Sequence, residues 1–214
     1  MDLKKIKMIA FNEFGDKRSS PYNERGDKFT HGERVAKNAV ELRKIILPYE
    51  NDIDDILTVA AWFHDVCNNN DVDRKEHCEL GAERTRRLLT KYCMADELNK
   101  ICEIIAVHDY RKPKENVYSE LIKIHQDADL LDHFGTIGIW RFVAYSIGHD
   151  STIIKAARHA GEKRDKYYTK WRSEFNYSES IRVFDDKVRF EKLFFDRFIS
   201  EVDGGIYGGE QNST

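Results

Sequence analysis

Apolar residues recur along most of the chain at intervals of three and four residues, the spacing of one face of an α-helix. The first clear run has its apolar positions at Val35, Ala39, Leu42, Ile45 and Ile46. Thr30 and Glu33 match the S/T-x-x-E capping box, which predicts that this helix begins at His31. Pro48 disfavours helical backbone in the residue before it and predicts where the helix ends.

The segment at residues 54–67, DDILTVAAWFHDVC, is apolar on nearly every side. A helix of this composition is expected to be central and buried. Asp54 or Asp55 is a candidate for its N-cap. The polar stretch NNNDVDRKE that follows is predicted to be a loop.

Helical spacing continues towards the C-terminal end. Helices are predicted near residues 80–89, 98–105, 119–131 with a continuation through GTIGIWRFVAYSIG, 151–175 and 178–201. No apolar–polar alternation is long enough to predict a strand. The sequence thus predicts an all-α protein of seven or eight helices, with the main domain at 27–202. A short helix and loop are expected in an N-terminal extension at 1–26, and a flexible tail at 203–214.

Composition narrows the class of protein. The 214 residues suit one domain. With 41% apolar and 34% charged residues, neither a disordered chain nor a membrane protein is expected. The net charge of −3 gives no general attraction for nucleic acid, so the basic and aromatic stretch RDKYYTKWR is interpreted as an amphipathic helix. The N-terminus lacks a signal-peptide pattern, and a cytoplasmic location is expected.

The four cysteines do not show the spacing of a zinc motif. Cys67, Cys78, Cys93 and Cys102 include no C-x-x-C pair. They are expected to be reduced, mostly buried thiols, and a cysteine-based zinc site is not expected.

The dipeptide His-Asp occurs three times, in different contexts. His64 and Asp65 end the most apolar predicted helix, where a carboxylate is unfavourable unless it is paired or bound to a metal. His108 follows the apolar run EIIAV and opens into a basic loop, whereas His149 follows a glycine and resembles a helix cap. The first pair is therefore the strongest candidate for a functional site.

Four segments in order carry a resemblance to a known family. They are H-x-x-R-V at 31–35, AAWFHD at 60–65, ADLLD at 128–132 and GTIGIWR at 135–141. Together they resemble the HD-domain superfamily of metal-dependent phosphohydrolases, particularly its small stand-alone bacterial members. The resemblance covers about residues 28–145 and implies an all-α HD-domain helical bundle.

The resemblance also implies one divalent metal ion held by His31, His64, Asp65 and Asp129. Asp129 fits the family's A-D-x-L pattern, and Asp127 lies about 200° away around the helix. Imidazole and carboxylate ligands leave Mn, Mg, Co, Ni, Fe and Zn as candidates. Such an ion lowers the pKa of water and polarises a phosphoryl oxygen. The implied activity is hydrolysis of a phosphate ester or anhydride, with a nucleotide as the preferred substrate.

Further residues have predicted roles around this centre. Asp65 is a candidate proton acceptor, and His108 a second catalytic candidate. Basic and imidazole groups placed to bind substrate are Arg34, His77, Arg111, Lys112 and Arg141. Arg141 has a buried ion pair as its alternative role. Asp132 and His125 share the Asp129 face and are candidates to support the ligands.

One prediction concerns the remaining histidines, and two questions on function and assembly stay open. The remaining histidines, His125, His133, His149 and His159, are predicted to be structural or exposed. The same scaffold also suits a nucleotide-sensing protein with little turnover, or a di-iron oxygenase or lyase, which needs His77 and His108 to bind a second ion. The aromatic C-terminal helices suit either a homodimer surface or closure of the core.

Overall fold

A computed structural model describes residues 1–68, 76–111 and 117–206. Every regular element in those ranges is helical, which confirms the all-α prediction. The α-helices are α1 (Leu3–Phe14), α2 (Asp27–Ile46), α3 (Asp54–Phe63), α4 (Glu76–Leu89), α5 (Ala95–Val107), α6 (Glu120–Leu131), α7 (Thr136–Gly148), α8 (Ile153–Arg172) and α9 (Ser178–Val202). A short 3₁₀ helix, Asn51–Ile53, precedes α3.

The predicted count of seven or eight helices is wrong, because the described ranges contain nine α-helices. The stretch predicted to continue from α6 divides at Gly135, whose φ of 77° is in the left-handed region that favours glycine. The Gly135 amide donates a 2.6 Å hydrogen bond to the Glu191 carboxylate, which lies in α9. A contact distant in sequence thus stabilises the break between α6 and α7.

Helix α2 begins four residues before the predicted start. Gly26, at a φ of 75°, is its N-cap, and no side chain caps it. The Thr30 hydroxyl donates instead to the carbonyl of Asp27, so the predicted capping box is wrong. His31 consequently lies one turn inside the helix, on its buried side.

Helix α3 is the buried central helix that the sequence predicts, but its limits differ. Ile53 is the N-cap, so neither aspartate proposed for that role holds it, and Asp54 pairs with Arg43 at 2.6 Å. The helix ends at Phe63 and not at 67. Tight turns follow, with hydrogen bonds from Val66 to Phe63 and from Asn68 to Asp65. This tightening brings His64 and Asp65 to one side of the chain.

Close backbone contact joins α2 to α3. A Cβ atom at Gly32 would lie 2.8 Å from the Ala61 carbonyl oxygen, so only glycine fits between these helices. On another side of α3, helix α1 packs against the core through Ile6, Ala10 and Phe14. The predicted short helix within 1–26 is therefore confirmed, and it shares the core of the helices that follow it.

Two sequence predictions lie partly outside the described residues. The predicted tail is described only as far as 206, and the polar loop after α3 only at its ends. Among the helices that are described, none has the length and hydropathy needed to cross a bilayer.

Candidate metal centre

The four predicted metal ligands come together at one place. His31 projects from α2, His64 and Asp65 lie on the turn after α3, and Asp129 lies on α6. The Asp129 Oδ1 atom is 3.2 Å from His31 Nε2 and 3.8 Å from His64 Nε2. His64 Nε2 is also 3.7 Å from Asp65 Oδ2. Three distant segments thus place two imidazole nitrogens and two carboxylates around one small volume.

Hydrogen bonds orient the imidazole rings towards that volume. His64 Nδ1 donates at 2.8 Å to the Ala61 carbonyl, which can only accept. His31 Nδ1 is likewise 2.8 Å from the Asp132 carboxylate. A proton held on Nδ1 leaves the Nε2 lone pair available, and that atom is a usual metal ligand. The donor set therefore fits a divalent cation.

Asp129 presents its two oxygens in different directions. Oδ1 faces the histidines, while Oδ2 accepts a 2.8 Å hydrogen bond from Arg111. Burial raises the pKa of Asp129, but its interactions with His133 and His31 and the charges of His64 and Arg111 hold that pKa well below its usual range. The carboxylate is therefore ionised at neutral pH, as a metal ligand must be.

Asp65 lies between two groups of imidazoles. Its Oδ2 faces His64, and its Oδ1 is 3.7 Å from His108 Nε2. The Asn68 amide donates to Oδ1 at 2.9 Å. Burial raises the pKa of Asp65, but the positive charges of His64 and His108 lower that pKa well below its usual range.

The predicted substrate-binding arginines differ in their partners. Arg34 binds Asp132 at 2.8 Å, and Arg111 binds Asp129, so each is already paired with a carboxylate. Arg141 has neither a hydrogen bond nor an ion pair to any described residue, so the alternative role as a buried ion pair finds no support there. Lys112 lies outside the described residues.

A cavity of about 470 Å³ opens onto the centre. Its polar lining includes His31, Arg34, His64, Asp65, His77, His108, Asp109, Arg111, Asp129, His133 and Arg141. A second cavity of about 560 Å³ shares Ser19, Asn23, His133, Arg141 and Tyr167 with the first. The two cavities are therefore adjacent, and all the described substrate-binding candidates line the first.

Some residues at the site were not predicted. His133, predicted to be structural or exposed, has its Nε2 3.8 Å from Asp129 Oδ1 and so lies beside the proposed ligands. His133 follows Asp129 by four residues, a spacing that indicates proximity of the two side chains. Ser19 and Asn23 come from the N-terminal extension, where no motif indicated a role.

The remaining candidates on α6 and at its C-cap differ in their contacts. Asp132 holds His31, in the supporting role predicted for it. His125 is fully buried beside His64, and neither of its ring nitrogens has a hydrogen-bond partner among the described residues. Asp127 points away from the centre and accepts hydrogen bonds from the amides of Asn176 and Tyr177, just before α9.

Comparisons with known proteins agree with this architecture. An HD-superfamily hydrolase from Bacillus thuringiensis is 23% identical to this chain, with a TM-score of 0.66, over 95% of this chain and 99% of its own. The chain has the HD-superfamily hydrolase fold.

Two further HD-fold structures match over most of their length. One, a predicted HD-superfamily hydrolase from an uncultured Thermotogales bacterium, is 23% identical over 94% of this chain and 92% of its own, with a TM-score of 0.64. The other is Bacillus subtilis YpgQ in complex with ADP, 18% identical over 93% of each chain, also with a TM-score of 0.64. No family model and no curated protein matches the chain.

Proposed function

We propose that this protein is a metal-dependent phosphohydrolase that cleaves a phosphate ester or anhydride of a nucleotide. The observation that carries the proposal is the convergence of two oriented Nε2 atoms and two ionised carboxylates on an open cavity. His31, His64, Asp65 and Asp129 would hold one divalent cation. When bound, that cation would polarise a phosphoryl oxygen and lower the pKa of water.

The protein's own residues would supply the proton acceptor and the positive charge beside it. Asp65, kept ionised, would accept the proton of the attacking water. His108 supports it, since its Nε2 is 3.7 Å from Asp65 Oδ1 and supplies positive charge there. Burial lowers the pKa of His108, but its interactions with the Asp65 carboxylate and Cys78 raise that pKa well above its usual value.

Arg141 is the proposed phosphate-binding residue. It lines both cavities and has no ion-pair partner among the described residues, so its guanidinium is available for phosphate oxygens. Arg34 and Arg111 act differently, by holding Asp132 and Asp129 in place. This division makes Arg141 the substrate contact, and the other two arginines supports of the metal centre.

A nucleotide is the proposed substrate class for two reasons. The second cavity gives room beyond the phosphate site and is lined by the rings of Phe142, Tyr145 and Tyr167, which suit a planar base. In addition, ADP is bound in the YpgQ structure, which shares this fold.

The test is a hydrolysis screen of nucleotides and small phosphoesters with Mn, Mg, Co or Ni. We expect turnover by the wild type and its loss in Asp65→Ala and Asp129→Ala. The control is Asp186→Ala, which removes an exposed carboxylate on α9 and should leave activity unchanged. Full activity in both site variants would show that the site is wrong.

The hydrolysis assay, combined with measurements of nucleotide binding and metal content, separates the alternative functions. Tight nucleotide binding with no hydrolysis of any phosphate compound would favour a sensing protein. Iron bound at two ions per chain, with absorption in the visible range, would favour an oxygenase or lyase. Nucleotide hydrolysis with one ion at the described centre supports the proposal.

A further inference from the structure

A short segment of the N-terminal extension borders both cavities. Residues 19–24 follow α1 and precede α2, so they lie outside the part of the chain that resembles the HD-domain family. Ser19 and Asn23 line the first and the second cavity alike, and Ser20 and Tyr22 line the second. This 19–24 segment therefore borders the space proposed for the base of a nucleotide.

Hydrogen bonds to Asp27, the first residue of α2, hold one part of the segment. The Ser19 amide donates to the Asp27 carboxylate at 2.8 Å, and the Ser19 hydroxyl donates to it as well. The Asn23 side-chain amide donates to the same carboxylate at 2.7 Å. Because Asp27 lies four residues before His31, these bonds join the segment to the helix that carries a proposed metal ligand.

The ring of Tyr22 packs against the end of α7. A Cβ atom at Gly148, the last residue of α7, would overlap this ring, so the absence of a side chain at 148 makes room for it. The ring centroid of Tyr22 is also 4.5 Å from that of His149 and 6.5 Å from that of Tyr145. The φ of Gly148 is not in the left-handed region, so space and not backbone freedom requires glycine here.

Tyr22 keeps surface that a ligand can contact. The residue is 39% exposed, and its hydroxyl has no hydrogen-bond partner among the described residues. Tyr145 and Tyr167 line the same cavity and are exposed as well. Aromatic faces of this kind stack on planar bases. The 19–24 segment thus adds a ring to those that α7 and α8 present.

We propose that the 19–24 segment is a specificity-determining wall of the second cavity, where Tyr22, packed against Gly148, makes the protein prefer nucleotides to phosphate compounds without a ring. This inference rests on the proposed function, because it takes the second cavity as the place of the base. Tyr22 contacts the base and not the reacting phosphate. A change at Tyr22 therefore affects nucleotides and ring-free substrates differently.

The test compares ATP with glycerol phosphate and tripolyphosphate, which carry phosphate but no ring, in the presence of Mn²⁺. Gly148→Ala displaces the Tyr22 ring and Tyr22→Ala removes it. Each variant should lower kcat/KM for ATP about tenfold, mainly through KM, since stacking on the base is lost. Turnover of the ring-free compounds should not fall with it. Equal losses for both kinds of substrate, or no loss for ATP, would overturn the proposal.

Further variants separate the ring from a general structural effect. Tyr22→Phe keeps the ring and should keep the preference for ATP. Tyr49→Ala removes an exposed tyrosine that lines neither cavity, and it should change no activity. A loss of ATP preference in Tyr49→Ala would contradict the role given to Tyr22. If circular dichroism shows that Tyr22→Ala does not fold, Gly148→Ala carries the test, because alanine suits a helix.

Binding of ADP to the full chain, measured by titration calorimetry, separates this inference from the proposed hydrolysis. If neither ATP nor a ring-free compound is cleaved, the proposed function is wrong, and the affinity for ADP alone decides the inference. About tenfold weaker ADP binding in Gly148→Ala and Tyr22→Ala would then support the wall. Unchanged affinity in these variants, or no binding of ADP by the wild type, would overturn it.

Discussion

A chain of hydrogen bonds fixes His31, the proposed metal ligand on α2. Asp132 accepts from His31 Nδ1 at 2.8 Å and is itself held by two nitrogens of Arg34 at 2.8 and 2.9 Å. The imidazole therefore cannot rotate without breaking these contacts. Its Nε2 stays directed at Asp129, which is the geometry that a metal ligand needs.

Asp132→Asn tests this support. The change keeps the shape of the side chain but removes the charge that holds the His31 ring, so we expect metal affinity to fall about 10- to 100-fold. Titration calorimetry with Mn²⁺ measures the effect. The control is Asp127→Asn on the same helix, whose side chain faces α9. Equal loss in both variants would contradict the role given to Asp132.

The pKa of His31 predicts how metal binding depends on pH. Burial lowers this pKa, but Asp129 and Asp132 raise it to about 9 in the metal-free protein. A cation at Nε2 must displace that proton, so affinity should increase with pH, by about tenfold per unit, until pH reaches the His31 pKa. Calorimetry in buffers of different ionisation enthalpy should show proton release at neutral pH. Binding that neither releases protons nor varies with pH would contradict this prediction.

Sequence motifs indicated which residues converge but not their partners. The order of short motifs predicts His31, His64, Asp65 and Asp129 as ligands, and the structure brings these four residues together. The pairing of Arg111 with Asp129 could not be predicted, because these residues are joined only by the packing of the segment after α5 against α6. For the same reason, arginines expected to bind phosphate prove to hold carboxylates.

At the scale of elements, helical periodicity predicted the helices better than their ends. The buried faces of α2 and α3 follow directly from the apolar spacing. The ends of these helices depend on other contacts. Gly26 is the N-cap of α2, where the sequence predicts a capping box at Thr30. Tight turns follow Phe63, where the sequence predicts that α3 continues. The break at Gly135 depends on Glu191, which is 56 residues away.

Gly32→Ala tests the close contact between α2 and α3. The added methyl group would lie 2.8 Å from the Ala61 carbonyl oxygen, which also accepts the His64 hydrogen bond. We expect a loss of about 1–3 kcal/mol in the free energy of unfolding, measured by urea denaturation. Metal affinity should fall as well, because His31 and His64 lie on the two elements that are forced apart.

The control for this change is Gly161→Ala in α8. Its added Cβ would meet Ile199 at 3.5 Å, an ordinary contact. Alanine should therefore stabilise the protein by about 0.4–1 kcal/mol through helix propensity and reduced freedom of the unfolded chain. Similar changes in both variants would show that the α2–α3 contact is not tight.

At the scale of the whole molecule, the proposed metal centre connects helices that are far apart in sequence. Its proposed ligands extend from His31 to Asp129, so an ion bound there would stabilise the folded chain and not the unfolded one. At a free concentration of 100 times the dissociation constant, the gain is about 2.7 kcal/mol. For a chain of this length the melting temperature should rise by about 5–10 °C.

Thermal unfolding with Mn²⁺ or with a chelator measures this rise. Asp129→Asn should unfold at a temperature that Mn²⁺ does not change. An equal rise in that variant would place the stabilising ion elsewhere.

The domain division at residue 27 and a homodimer stay predictions, although α1 packs against the same core as the later helices.

Asp65 connects the proposed metal centre with the neighbouring imidazole of His108. Its two oxygens face opposite clusters, one towards His64 and the other towards His108, each at 3.7 Å. A single carboxylate cannot optimise its position for both neighbours independently. Thermodynamic linkage then requires that metal binding beside His64 and proton binding at His108 change each other's affinity by the same factor. The Asp65 carboxylate would thus couple metal binding at the proposed centre to the protonation of His108.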